Sequence, residues 1–293
     1  MFDNLLSHFP LSLRFMLLSA LAFSLMTACV KLVSTYHIPV FEIVAARGLI
    51  SLIISYADIK RKKLSPWGNN KKLLIARGAV GSIALICVYY AVITLPLAEA
   101  TLLQYTYPVF TALLAFIFLK EKIQRATICC IILSLAGLIV MVMPNLSATT
   151  ETTLPWFSVF VALFGASGSA IAYVIVKRLS NKEDSSVIIF YFPLISLPVA
   201  LILLGSDFVM PNVEAALLLL FIGIFTQVGQ VGLTKAMQSE IASKVSAFSY
   251  IQVVFSMLFG FIIFSEVPSI WTLSGGALII IGALINVLAS KQH

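Results

Sequence analysis

The amino-acid sequence predicts an all-α integral membrane protein of ten transmembrane helices, built as two inverted repeats of five helices each. Three observations carry that expectation: an apolar, charge-poor composition, ten apolar runs of bilayer-spanning length, and one internal offset that maps half of the chain onto the other half. Of the 293 residues, 60% are hydrophobic and 11% charged, against roughly 25% charged in soluble domains. One water-soluble core of this length cannot enclose so much apolar surface.

A span needs about 20 mostly apolar residues, each adding 1.5 Å of rise. Ten such runs occur: 13–34, 39–58, 73–94, 98–119, 124–143, 155–177, 186–205, 213–234, 241–264 and 270–289. The first lacks an Ala-x-Ala-like exit and carries Lys31 near its end, so it reads as a membrane helix and not a cleavable leader. The second has Glu42 at its start and Arg47 about five residues deeper. The third places Gly78, Ser82 and Tyr89 within the membrane. In the fourth, opened by Glu99, Thr101, Gln104, Tyr105 and Pro108 fall on one face. Pro108 has no N–H to bond the Gln104 carbonyl, so a kink is expected beside that polar stripe. The fifth ends before an outer loop over 144–154. The sixth carries Gly165-Ala166-Ser167-Gly168-Ser169-Ala170, a close-approach signature, and Tyr173. Pro193 and Pro198 are expected to kink the seventh. In the eighth, Gly223, Thr226, Gln227, Gln230 and Thr234 form one polar stripe at spacings of three or four. The ninth offers Ser246, Ser249 and Tyr250. The tenth carries Gly275, Gly276 and Gly282, and a homodimer face there or on the sixth is expected from the small residues alone.

Charge sets the orientation. The net charge of +7 resides in short loops between apolar runs, which speaks for membrane topology and not for a nucleic-acid partner. With a cytoplasmic N-terminus, the inner loops and inner helix ends hold every one of the 19 Lys and Arg except Lys31 and Arg47. The predicted outer loops 144–154 and 206–212 hold none. Both termini are therefore expected inside, and the short loops suggest a bacterial cytoplasmic membrane. The long inner loop from Asp58 to Lys72, with Trp67 and six basic residues, reads as topology plus contact with anionic membrane lipids. Cys29, Cys87, Cys129 and Cys130 all fall inside apolar runs, without metal-site spacing, and read as packing residues.

The repeat is legible as an offset of 145. It maps Leu49-Ile50-Ser51-Leu52 onto Leu194-Ile195-Ser196-Leu197, Gly78 onto Gly223, Ala91 onto Ala236, Tyr105 onto Tyr250, Phe110 onto Phe255, Glu121 onto Glu266 and Gly137 onto Gly282. In the first helix of each unit the offset is 146, pairing Lys31 with Lys177. The expected repeats are 1–145 and 155–290. Each has an odd number of spans, so the second copy enters the membrane upside down, which is a transporter architecture.

The run Ala98-Glu99-Ala100-Thr101, Tyr105, Pro108-Val109-Phe110, Leu119-Lys120-Glu121 and Gly137 resembles the EamA-type repeat of the drug/metabolite transporter superfamily. The second copy is weaker, with Ser246, Tyr250, Phe255, Ser265-Glu266 and Gly282, and Val253 in place of the proline at Pro108. The resemblance implies ten helices, a central cavity between the two halves, secondary transport and often metabolite export.

Polar groups inside spans are costly unless they face a partner or a wet cavity. Gln104, Tyr105, Pro108, Tyr89, Gln227, Gln230, Tyr250 and Tyr173 are therefore expected along a solute pathway, with helix–helix hydrogen bonding as the competing reading. Lys31, Glu42, Arg47 and Glu99 are expected to form an outer ion-pair gate, with Arg47 as a substrate contact and a static structural pair as the alternative. The function expected is secondary active or exchange transport of a small polar or amphipathic metabolite by alternating access, directed outward. A facilitative channel and a non-transporting scaffold are the competing readings. Coupling to protons and simple solute exchange both stay open. No enzyme, metal or cofactor is expected: His8, His37 and His293 lie outside the spans, and no His-Glu-x-x-His or nucleotide-binding loop occurs.

Overall fold

A computed structural model describes residues 10–95, 97–148, 155–265 and 267–290. Among these the chain is helical, with no strand. Its helices are α1 (Leu11–Val33), α2 (Val40–Arg61), α3 (Lys71–Thr94), α4 (Leu97–Gln104), α5 (Tyr107–Phe118), α6 (Arg125–Ala148), α7 (Trp156–Leu179), α8 (Ser185–Leu204), α9 (Val213–Ser239), α10 (Ala242–Phe248), α11 (Ile251–Phe264) and α12 (Ile270–Ser290). Eight spans are long and apolar enough to cross a bilayer, with Ala242–Phe264 counted as one; Tyr107–Phe118 and Arg125–Met141 are shorter apolar helices. The ten predicted spans are thus all present as helix. Large apolar side chains point outward, with Phe118 66% and Ile262 69% exposed. That is what a lipid-facing surface requires, since helices apolar on every side belong in a bilayer.

Two helix ends differ from expectation. The eighth span runs to Ser239, because Ala236 and Met237 are fully buried and continue the apolar face beyond Thr234. The fifth runs to Ala148, into the predicted outer loop. The prolines also act unevenly. Pro193 and Pro198 sit inside a continuous α8. Beside Pro108 the fourth span does break, at Tyr105–Thr106. The ninth breaks at the matching place, Ser249–Tyr250, where no proline stands. There Ser246 Oγ donates to the Ser243 carbonyl (3.0 Å) and Ser249 Oγ to the Ser246 carbonyl (2.5 Å). Hydroxyls that bond the backbone of their own turn compete with the helical ladder.

The chain forms two compact units that do not coincide with the sequence repeats. One is residues 1–82 with 175–239, the other 83–174 with 240–293. Each draws helices from both repeats, and the division falls within α3 and α7.

In the first unit, α1 packs on α9 and α2 on α8. The repeat-related helices α2 and α8 run antiparallel. Lys62, just past the end of α2, bonds Asp184, just before α8 (2.9 Å). At the opposite end, Glu42 in the first turn of α2 accepts the Val209 N–H beyond α8 (2.9 Å). Gly78 of α3 lies against Ile195 of α8, and Gly223 of α9 against Ile50 of α2. These are one contact made twice, since both partners are related by 145 residues. A pair of contacts in which i meets j and the mate of j meets the mate of i is the signature of a two-fold relation.

The second unit repeats the argument. Here α6 packs on α12, and α10 on α5. Gly137 meets Gly275, and Gly282 meets Cys130, again the same contact carried by the 145 offset. Thr127 near the start of α6 bonds Asn286 near the end of α12 (3.1 Å), so these helices too are antiparallel. Glu121 closes the end of α10: its carboxylate accepts the N–H groups of Ala242 (2.9 Å) and Ser243 (3.2 Å), two of the donors a helix start leaves open.

Candidate functional site

One face of α2 organises the first unit. Arg47, Ser51, Ser55, Asp58 and Lys62 follow one another at spacings of four, four, three and four, so their side chains stack along a single stripe. Opposite it, α9 presents Gln227. Ser51 Oγ donates to Gln227 Oε1 (2.5 Å), and Gln227 Nε2 donates to Ser55 Oγ (2.9 Å). Both serines and the glutamine are buried. The rest of the expected α9 stripe is spent on packing: Thr226 Oγ1 bonds Met26 Sδ (3.0 Å), and Gly223 lies against Ile50. Gln230 is half-buried.

Below Gln227 the stripe opens into a cavity of about 560 Å³. Its wall is apolar, from Leu18, Ile54, Ala57, Val228 and Val231; its rim carries Asp58, Arg61, Lys62 and Lys235. The volume matches that of small-molecule sites, which combine an apolar body with a few placed polar groups. At the rim, Lys62 Nζ lies 3.0 Å from Asp58 and 2.9 Å from Asp184, and donates to Ser186 Oγ (2.8 Å). Ser186 Oγ in turn donates to Asp58. This latch joins the end of α2 to the start of α8. Burial works against charge on both Lys62 and Asp184, but their mutual attraction and hydrogen bonds outweigh it. The lysine is thereby raised above its ordinary range and the carboxyl held below its own. Lys235 has no carboxylate partner among the described residues and rests 5.3 Å from the Phe15 ring.

At the far end of the stripe, Arg47 lies over the Phe192 ring (6.0 Å to the centroid) and Arg77 over the same ring (5.0 Å). Phe192 is the repeat mate of Arg47. A residue touching its own mate lies on the two-fold axis, and in inverted repeats the solute site lies near that axis at mid-membrane. Arg47 is half-buried; Arg77, six residues into α3, is 4% exposed and so is enclosed by protein instead of solvated.

The expected outer gate is not assembled as an Arg47–Glu42 pair. Glu42 is 4% exposed; its Oε2 is taken by the Val209 N–H and its Oε1 is buried without a partner. Lys31 is exposed at the end of α1. The side chain of Glu99 lies outside the described residues, as do Glu266, Lys291, His8 and His293.

In the second unit the predicted tyrosines do meet. Tyr105 and Tyr250, repeat mates, stack at 6.0 Å, and Tyr250 Oη donates to the Tyr105 carbonyl (2.9 Å). That carbonyl is available because Val109 N–H bonds Thr106 instead (3.0 Å). Tyr173 joins edge-on through Tyr107 (5.3 Å), a residue the sequence reading passed over. Pro108 is buried at the start of α5, and Gln104 and Tyr89 are half-buried. Among the described residues no cluster of His, Cys, Asp and Glu suits a metal ion.

Comparison with known proteins agrees with this geometry. The pattern of the EamA-like transporter family matches residues 11–143 and again 156–288. The pseudopaline exporter CntI of Pseudomonas aeruginosa (strain UCBPP-PA14) is 33% identical over 270 residues, covering 91% of this chain and 92% of that protein. Human solute carrier family 35 member G1 is 32% identical over 296 residues, covering 97% of this chain and 80% of that protein. A crystal structure 18% identical in sequence superposes with a TM-score of 0.83 over 96% of this chain and 98% of its own, and shares the fold. Two matches to the family pattern, the all-helical bundle and named transporters as relatives together place this chain as a multi-pass membrane protein belonging to the EamA-like transporter family.

Proposed function

We propose that the protein is a secondary active or exchange transporter that moves a small polar or amphipathic metabolite outward by alternating access. The observation that carries this reading is the reciprocal packing: in each compact unit the same contact occurs twice, carried by repeat-related residues, and the repeat-related helices run in opposite senses, α2 against α8 and α6 against α12. Two copies of one motif in similar but inequivalent conformations can exchange those conformations, opening a site to one side and then the other. The repeats are 1–145 and 155–290. The cavity beside Gln227 is the solute site of the first unit, the Asp58–Lys62–Asp184 latch closes its rim, and the tyrosine cluster lines the pathway in the second. The outward direction is supported by the name of the bacterial relative, an exporter. The membrane is a bacterial cytoplasmic membrane with both termini inside, in contact with anionic lipids at the loop from Asp58 to Lys72. Gly275 and Gly282 of α12 are engaged by α6 within the chain, so the proposed homodimer uses the remaining small residues of α7.

The test has two steps. Metabolites of cells with and without the protein are compared inside and outside; a solute retained in cells lacking it is the candidate. Purified protein in proteoliposomes is then loaded with that solute. Saturable uptake accelerated by solute on the opposite side supports a carrier. Flux that never saturates and ignores the opposite side would identify a channel instead.

A further inference from the structure

The cations along α2 and around the cavity say more than that a solute binds. The rim carries three cations, Arg61, Lys62 and Lys235, against Asp58. Asp58 is already engaged by Arg61 (2.7 Å), Lys62 and Ser186, and Lys62 is shared with Asp184. The cation left over is Lys235, which meets only the Phe15 ring and makes no ion pair among the described residues. Eleven residues up the same α2 stripe from Asp58 stands Arg47, about 16 Å away at 1.5 Å per residue. It too faces an aromatic ring and makes no ion pair among the described residues. Arg77 adds a second guanidinium on that ring. A charge at membrane depth is expensive unless something compensates it, and aromatic faces compensate only in part.

We infer that the solute is an organic anion, a carboxylate with an apolar body, whose headgroup is taken first by Lys235 at the cavity rim and then by Arg47 on the two-fold axis. The inference rests on the transport reading above and names its substrate class. The apolar wall accepts the body, and Gln227 lies beside the α2 stripe that joins the two cationic stations. Lys235 is a mobile point charge suited to capture, whereas the planar guanidinium of Arg47 offers two parallel donors to a carboxylate.

The experiment uses full-length protein in phosphatidylcholine liposomes and a matched set of solutes: succinate and phenyllactate, with the amides and amines of the same carbon skeletons. Carboxylates are expected to show saturable counterflow and to raise the unfolding temperature of the purified protein; amides and amines are expected to do neither. Lys235→Gln and Arg47→Gln should each weaken apparent carboxylate affinity by about ten-fold or more, the worth of one charge-assisted hydrogen bond. Lys235→Arg should retain most of it. Solute-free unfolding temperatures of the variants check that they fold. Counterflow of amines or amides without carboxylates overturns the anion assignment and leaves the transport reading standing. Absence of counterflow for every solute, with folded protein, overturns both. If phosphatidylglycerol stabilises the protein through Lys235 and soluble carboxylates do not, the cavity holds a lipid headgroup and the inference fails.

Discussion

Gln227 occupies a point where the two repeats differ in chemistry. Its repeat mate is Ser82, whose hydroxyl turns back to the Gly78 carbonyl of its own helix (2.8 Å). Gln227 instead reaches across to α2 and engages two serines. One copy therefore closes on itself and the other ties two helices together. Interhelical hydrogen bonds in membranes average about 0.6 kcal/mol each, so Gln227→Leu is expected to destabilise the protein by about 1 kcal/mol. A cycle with Ser55→Ala should return a coupling of about 0.6 kcal/mol, read from denaturant unfolding in detergent; zero coupling would remove the cross-helix bond from the account. The latch behaves differently because it titrates. The Asp184 carboxyl is held below its ordinary range, so its stabilisation is present above the unfolded carboxyl's range and is lost as pH falls through the depressed value. Lys62 is raised, so its share is complete below the ordinary lysine range and lost as pH rises through the raised value. The unfolding-temperature gap between wild type and Asp184→Asn should therefore be steady near neutral pH and narrow in acid. A gap that widens in acid contradicts the assignment. Much of this site was legible: Gln227 stood out as a buried amide on a polar stripe. Its serine partners were written in the spacing Arg47, Ser51, Ser55, Asp58, Lys62, which becomes informative once the α2 stripe is read for hydroxyls as well as charges. Phe192 carried no local signal; only its 145-residue relation to Arg47 points to it.

Helix boundaries and breaks follow a different logic from the residues within them. Hydropathy and length fixed where helices exist, because a bilayer leaves few alternatives for an apolar run of 20 residues. They did not fix where a helix pauses. Pro108 announced the break at Tyr105–Thr106, yet Pro193 and Pro198 are accommodated without one. The break before Ile251 depends on serine hydroxyls that sequence patterns read as ordinary polar residues. Close approach obeys stricter rules. At Gly137 an added Cβ would stand 2.5 Å from the Gly275 carbonyl oxygen, a backbone atom that cannot yield. At Gly276 it would meet only the flexible end of Met257, at 3.6 Å. Gly137→Ala is therefore expected to cost about 1–3 kcal/mol through overpacking of α6 on α12. Gly276→Ala should be close to neutral and serves as the control. Unfolding temperatures of the two variants, measured in the same detergent, decide this; equal values would mean that the α6–α12 contact is looser than its glycines indicate. In the turn before α3, Gly68 is held at φ +59°, and a Cβ there would stand 2.9 Å from a carboxylate oxygen of Glu183. That carboxylate is committed to the N–H groups of Asn69 and Asn70 (2.6 Å each), so both backbone shape and space require glycine.

At the scale of the whole molecule, antiparallel α2 and α8 make one more quantity measurable: which side each loop faces. The contact of Lys62 with Asp184 places the loop after α2 and the loop before α8 at one end, and that of Glu42 with Val209 places the loop after α8 at the other. The first end carries Lys60, Arg61, Lys62, Lys63, Lys177, Arg178 and Lys182, whereas 206–212 carries no basic residue. Insertion retains Lys- and Arg-rich loops on the cytoplasmic side, so the proposed orientation has the basic end inward and Asp207 outward. Cysteine labelling reads this directly. In a variant whose four native cysteines are replaced, Ser206→Cys should react in intact cells with a membrane-impermeant maleimide, and Ser65→Cys only after the membrane is opened. The reverse pattern would place both termini outside, turn the cavity rim at Lys235 toward the exterior, and convert the proposed capture step for export into one for uptake.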